Sequence, residues 1–265
     1  MSLGNLLELD VEDKVLIERD LFINIKAGRL ALSPDPDSCY QILQMYNLEG
    51  LMAYIDHFNP SRTAPYHGAF HEAALVSLVY EAVSLVYEAA RFYGFTREET
   101  RVLLIAAAMH DFNHSAGKAA NDSENIEAAI AGLHQVQKCL WTSSSPILPN
   151  EAADAEHLIR ITEYPYTTSA QTLAEKIMRD ADLMMPYLPT PAVKSLFIGL
   201  KEEMEICKGK WSFAEFAGGV KEFYSKVIWG TEWAIAKAKV NQWDEKLSTV
   251  YNLLANHTQP APEAK

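Results

Sequence analysis

Apolar residues recur along the chain at spacings of three and four, in long stretches separated by short clusters rich in Pro, Gly, Ser and Asn. That is the pattern of helices joined by loops, and it predicts an all-α fold. Residues 1–33 mix apolar and charged positions, and Ser33-Pro34-Asp35-Pro36-Asp37-Ser38 then interrupts any helix, so 1–37 reads as an N-terminal helical extension. A helix around 38–57 follows, closed by Asn59-Pro60-Ser61-Arg62-Thr63-Ala64-Pro65, and a long helix of about 25 residues begins near Tyr66. Within it the hexapeptide Ser-Leu-Val-Tyr-Glu-Ala stands at 77–82 and again at 84–89. An offset of seven returns a side chain to nearly the same helix face, which stacks Leu78 on Leu85 and Tyr80 on Tyr87. Thr96-Arg97-Glu98-Glu99 reads as a capping box, Thr96 at the N-cap and Glu99 three residues on, launching the next helix. Further helices are expected at 123–140, 150–162, 170–185, 190–207 and 213–254, which makes 38–255 one domain and 256–265 a loose tail.

Polar residues interrupt this pattern at three places. The run Val102-Leu103-Leu104-Ile105-Ala106-Ala107-Ala108-Met109 ends on His110-Asp111, with His114 three residues beyond. An imidazole beside a carboxylate at the end of a buried helix is costly unless the two are paired or hold a cation. Tyr66-His67-Gly68-Ala69-Phe70-His71 places two histidines one helical turn apart, on one face. If the helices that carry His71 and His110 are antiparallel neighbours, as the short connection near 91–96 suggests, their polar ends converge. A further carboxylate is offered by Ile177-Met178-Arg179-Asp180-Ala181-Asp182-Leu183, where each aspartate reads equally as a solvated turn of an amphipathic helix.

Composition narrows the class of partner. With 265 residues and 49% hydrophobic content the chain can bury a full core. Its net charge of -12, from 23 Lys+Arg against 35 Asp+Glu, argues against a nucleic acid or an anionic membrane and for a small molecule. Cys39, Cys139 and Cys207 fit neither a disulfide framework nor a zinc ribbon and are expected to be reduced. No apolar stretch reaches the roughly 20 residues of a membrane helix, and no basic start precedes an apolar signal core, so the expected location is the cytoplasm.

The ordered set His71, His110-Asp111, Asp182 resembles the HD superfamily of metal-dependent phosphohydrolases, whose pattern is H...HD...D; the family context favours Asp182 over Asp180. Residues 66–130 are more specifically similar to the catalytic core of class I cyclic nucleotide phosphodiesterases and their bacterial relatives. Tyr66-His67-Gly68-Ala69-Phe70-His71 stands for that family's Tyr-His-Asn-x-x-His, and His110-Asp111-Phe112-Asn113-His114 for its His-Asp-x-x-His. Asn121-Asp122, followed by Glu127, matches a third element. The resemblance implies an HD-type, phosphodiesterase-like helical bundle that hydrolyses a phosphoester with a metal-activated water. His71, His110, Asp111 and Asp182 would ligate a first divalent cation, with Asp111 bridging to a second. His67 would protonate the leaving oxygen, His114 would lie near the bridging water, and Glu127 would hydrogen-bond a metal-bound water. Two such cations lower the pKa of the water and neutralise phosphoryl charge; the donor set suits Zn, Mn, Mg or Fe without choosing among them. The implied substrate is a small phosphoester, such as a nucleotide or cyclic nucleotide.

The chain departs from the family at Gly68, where the motif has Asn, at Ala74, where it has Asp, and at Ser115-Ala116-Gly117, where it has Pro-Gly. Gln242 is a candidate for the base-gripping glutamine by its C-terminal position alone. Two rival readings follow. The order His71, His110-Asp111, His134, His157, Asp182 also satisfies the six-ligand pattern of di-iron HD oxygenases. A catalytically silent HD binding or signalling domain is the other. The aromatics Trp211, Phe213, Phe216, Phe223, Tyr224, Trp229 and Trp233 read as the core of a C-terminal helical layer, with one or two at a pocket mouth. His57 and His257 carry no pattern.

Overall fold

From Val102 to Met109, helix α4 (Arg97–Met109) is apolar on every side, and all eight residues are buried. A helix without a polar face belongs at the centre of a bundle, and α4 is the axis of this one. The computed structural model describes residues 36–89, 94–188 and 190–240. Among them stand ten α-helices and no strand: α1 (Pro36–Met45), α2 (Glu49–Phe58), α3 (Ala69–Ala89), α4, α5 (Asp122–Leu140), α6 (Pro149–Arg160), α7 (Leu173–Leu183), α8 (Thr190–Lys208), α9 (Phe213–Ser225) and α10 (Glu232–Val240). Short 3-10 turns lie at Pro60–Thr63 and Met185–Tyr187. Helices α2, α3, α5, α6 and α7 surround α4, and α3 also touches α1, α7 and α10. The fold is an all-α bundle.

Local chemistry explains where the helices begin. The box predicted at Thr96 forms: Glu99 N donates to Thr96 Oγ1 (3.1 Å) and Thr96 N to Glu99 Oε2 (2.8 Å). The same device opens α7 at Thr172 and Glu175, and α9 at Ser212 and Glu215. Asn121 caps α5, and Pro149 occupies the first turn of α6, where its missing N–H is not needed.

The expected helix over 38–57 is two helices, because Asn47 takes a left-handed backbone (φ 54°) between α1 and α2. The long helix starts at Ala69 rather than near Tyr66, and the helix expected over 213–254 stops at Ser225 and restarts at Glu232. Asp180 fastens that break by accepting from Gly230 N (2.9 Å) and from Thr231 N (2.8 Å) and Oγ1 (2.6 Å), an anchor from α7 that periodicity does not reveal. The extension before residue 36, the tail at 256–265, Gln242 and the side chains of Leu85 and Tyr87 lie outside the described residues. No described helix is long and apolar enough to cross a membrane.

Candidate metal centre

Helices α3 and α4 run antiparallel, so the start of one meets the end of the other, and there His71 faces His110 with 3.3 Å between their Nε2 atoms. His110 Nδ1 donates to the Ala107 carbonyl (2.9 Å), which leaves its Nε2 lone pair directed at the cluster. Asp111 Oδ2 lies 2.9 Å from His110 Nε2 and 3.1 Å from His71 Nε2. From the end of α7, Asp182 Oδ1 comes within 3.4 Å of His71 Nε2 and 3.8 Å of His110 Nε2. His71, His110, Asp111 and Asp182 therefore converge, while Asp180 is spent on the Gly230–Thr231 link.

The turn that presents Asp111 is held from outside. Asn113 is left-handed (φ 62°), reversing the chain after α4, and its N–H donates to Asn59 Oδ1 (2.9 Å). The Ser61 hydroxyl is shared between Asn59 Oδ1 (2.7 Å) and the Asp111 carbonyl (3.0 Å). The Pro60–Thr63 turn thus clamps the His-Asp turn.

The donor set fits a divalent cation. Asp111 Oδ2 is fully buried without a well-formed hydrogen bond, although two imidazole nitrogens stand within 3.1 Å of it. Burial disfavours charge on His71, yet the facing Asp111 and Asp182 carboxylates outweigh it and push its pKa up to about 10. Burial likewise works against His110, and the Asp111 charge raises it nonetheless. The Asp111 carboxyl is held well below its ordinary range, against burial, chiefly by His110. This cluster draws positive charge to itself, and a cation bound by two imidazoles and two carboxylates would meet the same demand.

A second group faces it. Glu203, on α8, accepts from Tyr66 N (2.7 Å) and His67 N (3.0 Å), and its Oε2 lies 2.5 Å from His67 Nδ1. Burial raises the Glu203 pKa, but the His67 hydrogen bond and charge and the two backbone donors outweigh it and keep the carboxylate ionised. An ionised carboxylate only accepts, so His67 Nδ1 carries the proton and Nε2 is left for chemistry. The His114 ring stacks on His67 with centroids 3.6 Å apart. Burial, then the charge of His67, lowers the His114 pKa to about 4, so this second imidazole stays neutral.

Two glycines set this approach. A Cβ on Gly199 of α8 would lie 2.0 Å from the Pro65 carbonyl oxygen, so only a bare backbone brings Glu203, one turn later, to His67. A Cβ on Gly68 would stand 2.4 Å from the Ala64 carbonyl oxygen. The Asn that the family motif carries there does not fit this lead-in.

Above these groups is a cavity of about 560 Å³ with His67, His110, Asp111, His114 and Asp182 as its floor. Tyr164, Tyr166, Trp211, Phe216, Phe223 and Tyr224 form aromatic walls, more of the C-terminal aromatics than the one or two expected at a pocket mouth. Asp122 and Asn125 also line it, tied to each other (3.2 Å) and to Tyr164 N (2.7 Å) and Ser115 N (3.0 Å).

Three predicted residues lie elsewhere. Glu127 is exposed and pairs with Arg160 at 2.5 Å, because it points away from the face of α5 that carries Asn125 and Ile126 to the cavity. His134 pairs with Glu156 (3.0 Å) and His157 with Glu175 (2.9 Å), on side chains 46% and 60% exposed, outside the converging set. Sequence reasoning missed Glu203, which sits in Lys201-Glu202-Glu203-Met204-Glu205, where nothing separates it from its acidic neighbours. It also missed Lys208 and the Tyr164–Tyr166 loop at the cavity wall.

No protein-family model matches the chain, and no curated protein matches it. Among solved structures it is similar to the phosphodiesterase domain of the RhoPDE fusion protein from the choanoflagellate Salpingoeca rosetta, with 15% identity, 94% of this chain and 91% of that chain covered, and a TM-score of 0.52. The likeness is one of fold, that of a phosphodiesterase-like helical bundle.

Proposed function

We propose that the protein is a metal-dependent phosphoester hydrolase of phosphodiesterase type, acting on a small phosphoester. The observation that carries this reading is the juxtaposition of two groups on one cavity floor: the His71, His110, Asp111, Asp182 cluster with its buried, unpartnered carboxylate oxygen, and the His67–Glu203 pair. The fold shared with a phosphodiesterase domain supports it.

His71, His110, Asp111 and Asp182 would hold the first cation, and Asp111 would be shared with a second. Divalent cations there would acidify an attacking water and neutralise charge on the phosphoryl oxygens. His67 delivers a proton from Nε2 to the leaving oxygen, and Glu203 holds Nδ1–H so that the ring neither rotates nor presents the wrong nitrogen. His114, neutral against the His67 face, lets His67 carry the positive charge alone. The aromatic walls seat the alcohol portion of the ester and exclude water.

The di-iron oxygenase reading needs His134 and His157 as ligands, and both are engaged with glutamates at the surface. It draws no support from this geometry. Hydrolysis of bis(4-nitrophenyl) phosphate, cyclic nucleotides and nucleotides, each assayed with Mn, Mg, Zn and Fe, tests the proposal. Turnover above an Asp111→Ala control is expected with at least one metal; none with any metal would leave a binding module as the better account.

A further inference from the structure

Beside the cavity over the metal centre lies a second one, of about 690 Å³, and its walls carry Lys176, Arg179 and Lys226. Tyr164, Tyr166, Leu183, Gly219 and Phe223 line both spaces, so the two are neighbours across one shared partition. Helix α7 runs past the pair: Lys176 and Arg179 border the second cavity, Asp182 the first, and Leu183 both. Six residues of helix separate Lys176 from Asp182, about 9 Å along the axis at about 1.5 Å per residue.

The wall carries three basic side chains against two acidic ones, Asp180 and Glu222, in a chain whose net charge is -12. Asp180 also borders the cavity; its oxygens accept from Gly230 and Thr231, and its carboxylate is a charged neighbour of Lys176. Glu222 pairs with Lys226 (2.7 Å). Arg179 lies over the Tyr166 ring at 4.3 Å from its centroid and donates to the Ile161 carbonyl (2.6 Å) and the Thr168 carbonyl, which fixes the loop of the partition. The Lys176 stem lies against Gly230, within 2.9 Å of where a Cβ would stand, and its ammonium makes no hydrogen bond or close ion pair among the described residues. A cation whose donors are not engaged in hydrogen bonds, beside an aromatic partition and one helix turn or two from Asp182, suits an anionic group attached to a planar or apolar body.

We infer that the second cavity continues the active site and receives a second anionic group on the non-reacting part of the substrate. The substrate class is then a phosphodiester carrying a further phosphate or carboxylate roughly a helix-turn or two from the scissile phosphorus, larger than a cyclic mononucleotide. This deepens the phosphohydrolase reading and rests on it. The ester's body crosses the Tyr164, Tyr166 and Phe223 partition, with its reacting end over His67 and Asp111 and its anionic end at Lys176.

Thymidine 5′-(4-nitrophenyl phosphate), with and without a 3′-phosphate, supplies the test, because the two differ only in the second anion and both release nitrophenolate. Wild-type kcat/KM is expected to be about tenfold higher for the 3′-phosphorylated ester, as one charge-assisted contact gives. Lys176→Met keeps the stem over Gly230 and is expected to abolish that preference while leaving the unphosphorylated ester unchanged. Equal kcat/KM in the wild type overturns the inference, as does a preference that survives Lys176→Met combined with Lys226→Met. If neither ester turns over with any metal, the hydrolase reading has failed, and calorimetry with thymidine 3′,5′-bisphosphate against the 5′-monophosphate judges the cavity separately. Tighter binding of the bisphosphate, lost in Lys176→Met, upholds an anion site; equal binding removes it.

Discussion

On the floor of the chamber, helices α3, α4 and α7 bring two carboxylates each within 4 Å of the same two imidazoles, locked by buried neighbours. On its walls, α9, Trp211 just before it and the Tyr164–Tyr166 loop supply rings that pack on one another and on nearby cations, such as Tyr164 against Phe223 at 5.5 Å and Arg179 over Tyr166 at 4.3 Å. The floor has its groups where they would be costly unless they bind something. The walls have groups that would be stable with or without a ligand. Chemistry is therefore concentrated in the floor and selectivity in the walls, and the two should respond differently to substitution.

The sharpest separation comes from Asp111→Asn, which removes the carboxylate that touches both imidazoles; activity is expected to fall to background with metal content lost, as measured by elemental analysis of the purified variant. His67→Ala, on the same floor but outside the ligand set, is expected to lower kcat by about 10²- to 10⁴-fold with metal content retained. Glu203→Gln should cost about 10- to 100-fold in the same assay, since it leaves His67 in place without its anchor. Metal contents that fall together in all three variants would erase the distinction between ligands and proton donor.

Stability sharpens the floor further. Adding a cation at about 100 times its Kd stabilises the native state by about 2.7 kcal/mol, which for a domain of this size raises Tm by roughly 5–10 °C. Differential scanning fluorimetry with and without a chelator measures it, and no rise is expected in Asp111→Asn. A wall substitution acts elsewhere: Trp211→Ala is expected to raise KM by about tenfold with kcat changed by less than about threefold. Glu175→Gln is expected to have the smallest effect. Glu175 caps α7, and the His157 hydrogen bond lowers its pKa to about 2. Its stabilisation is present above the ordinary carboxylate range and is lost as pH falls through about 2. The variant should therefore melt about 2–4 °C lower at pH 7, with a gap that closes toward pH 2.

The same contrast explains how much was legible beforehand. Val102–Met109 announces a central helix, and Thr96 with Glu99 announces its start, because both signals are local. His110 and Asp111 stood out because they close an apolar run, where a polar residue needs a reason; His71 stood out by its spacing from His67, and Asp182 was preferred to Asp180 by the family resemblance. Glu203 breaks nothing: it is one of several acids on α8, and its role arises only when α8 lies against Pro65. Glu127 illustrates the reverse, a matching position whose helix face turns it to Arg160. The split of α1 from α2 depends on one left-handed residue, Asn47, and the stop after α9 on a distant aspartate. Neither leaves a periodic trace.

Gly199 makes His67, the proposed proton donor, hostage to a hydrogen atom. Its Cα faces the Pro65 carbonyl across a gap that a single methyl group overfills, and Glu203 is four residues farther along the same rigid rod. A helix transmits such a shift without attenuating it, and an ångström is enough to pull a catalytic hydrogen bond out of register. Gly199→Ala is thus a way to silence proton delivery at a distance, through a residue that carries no functional group at all.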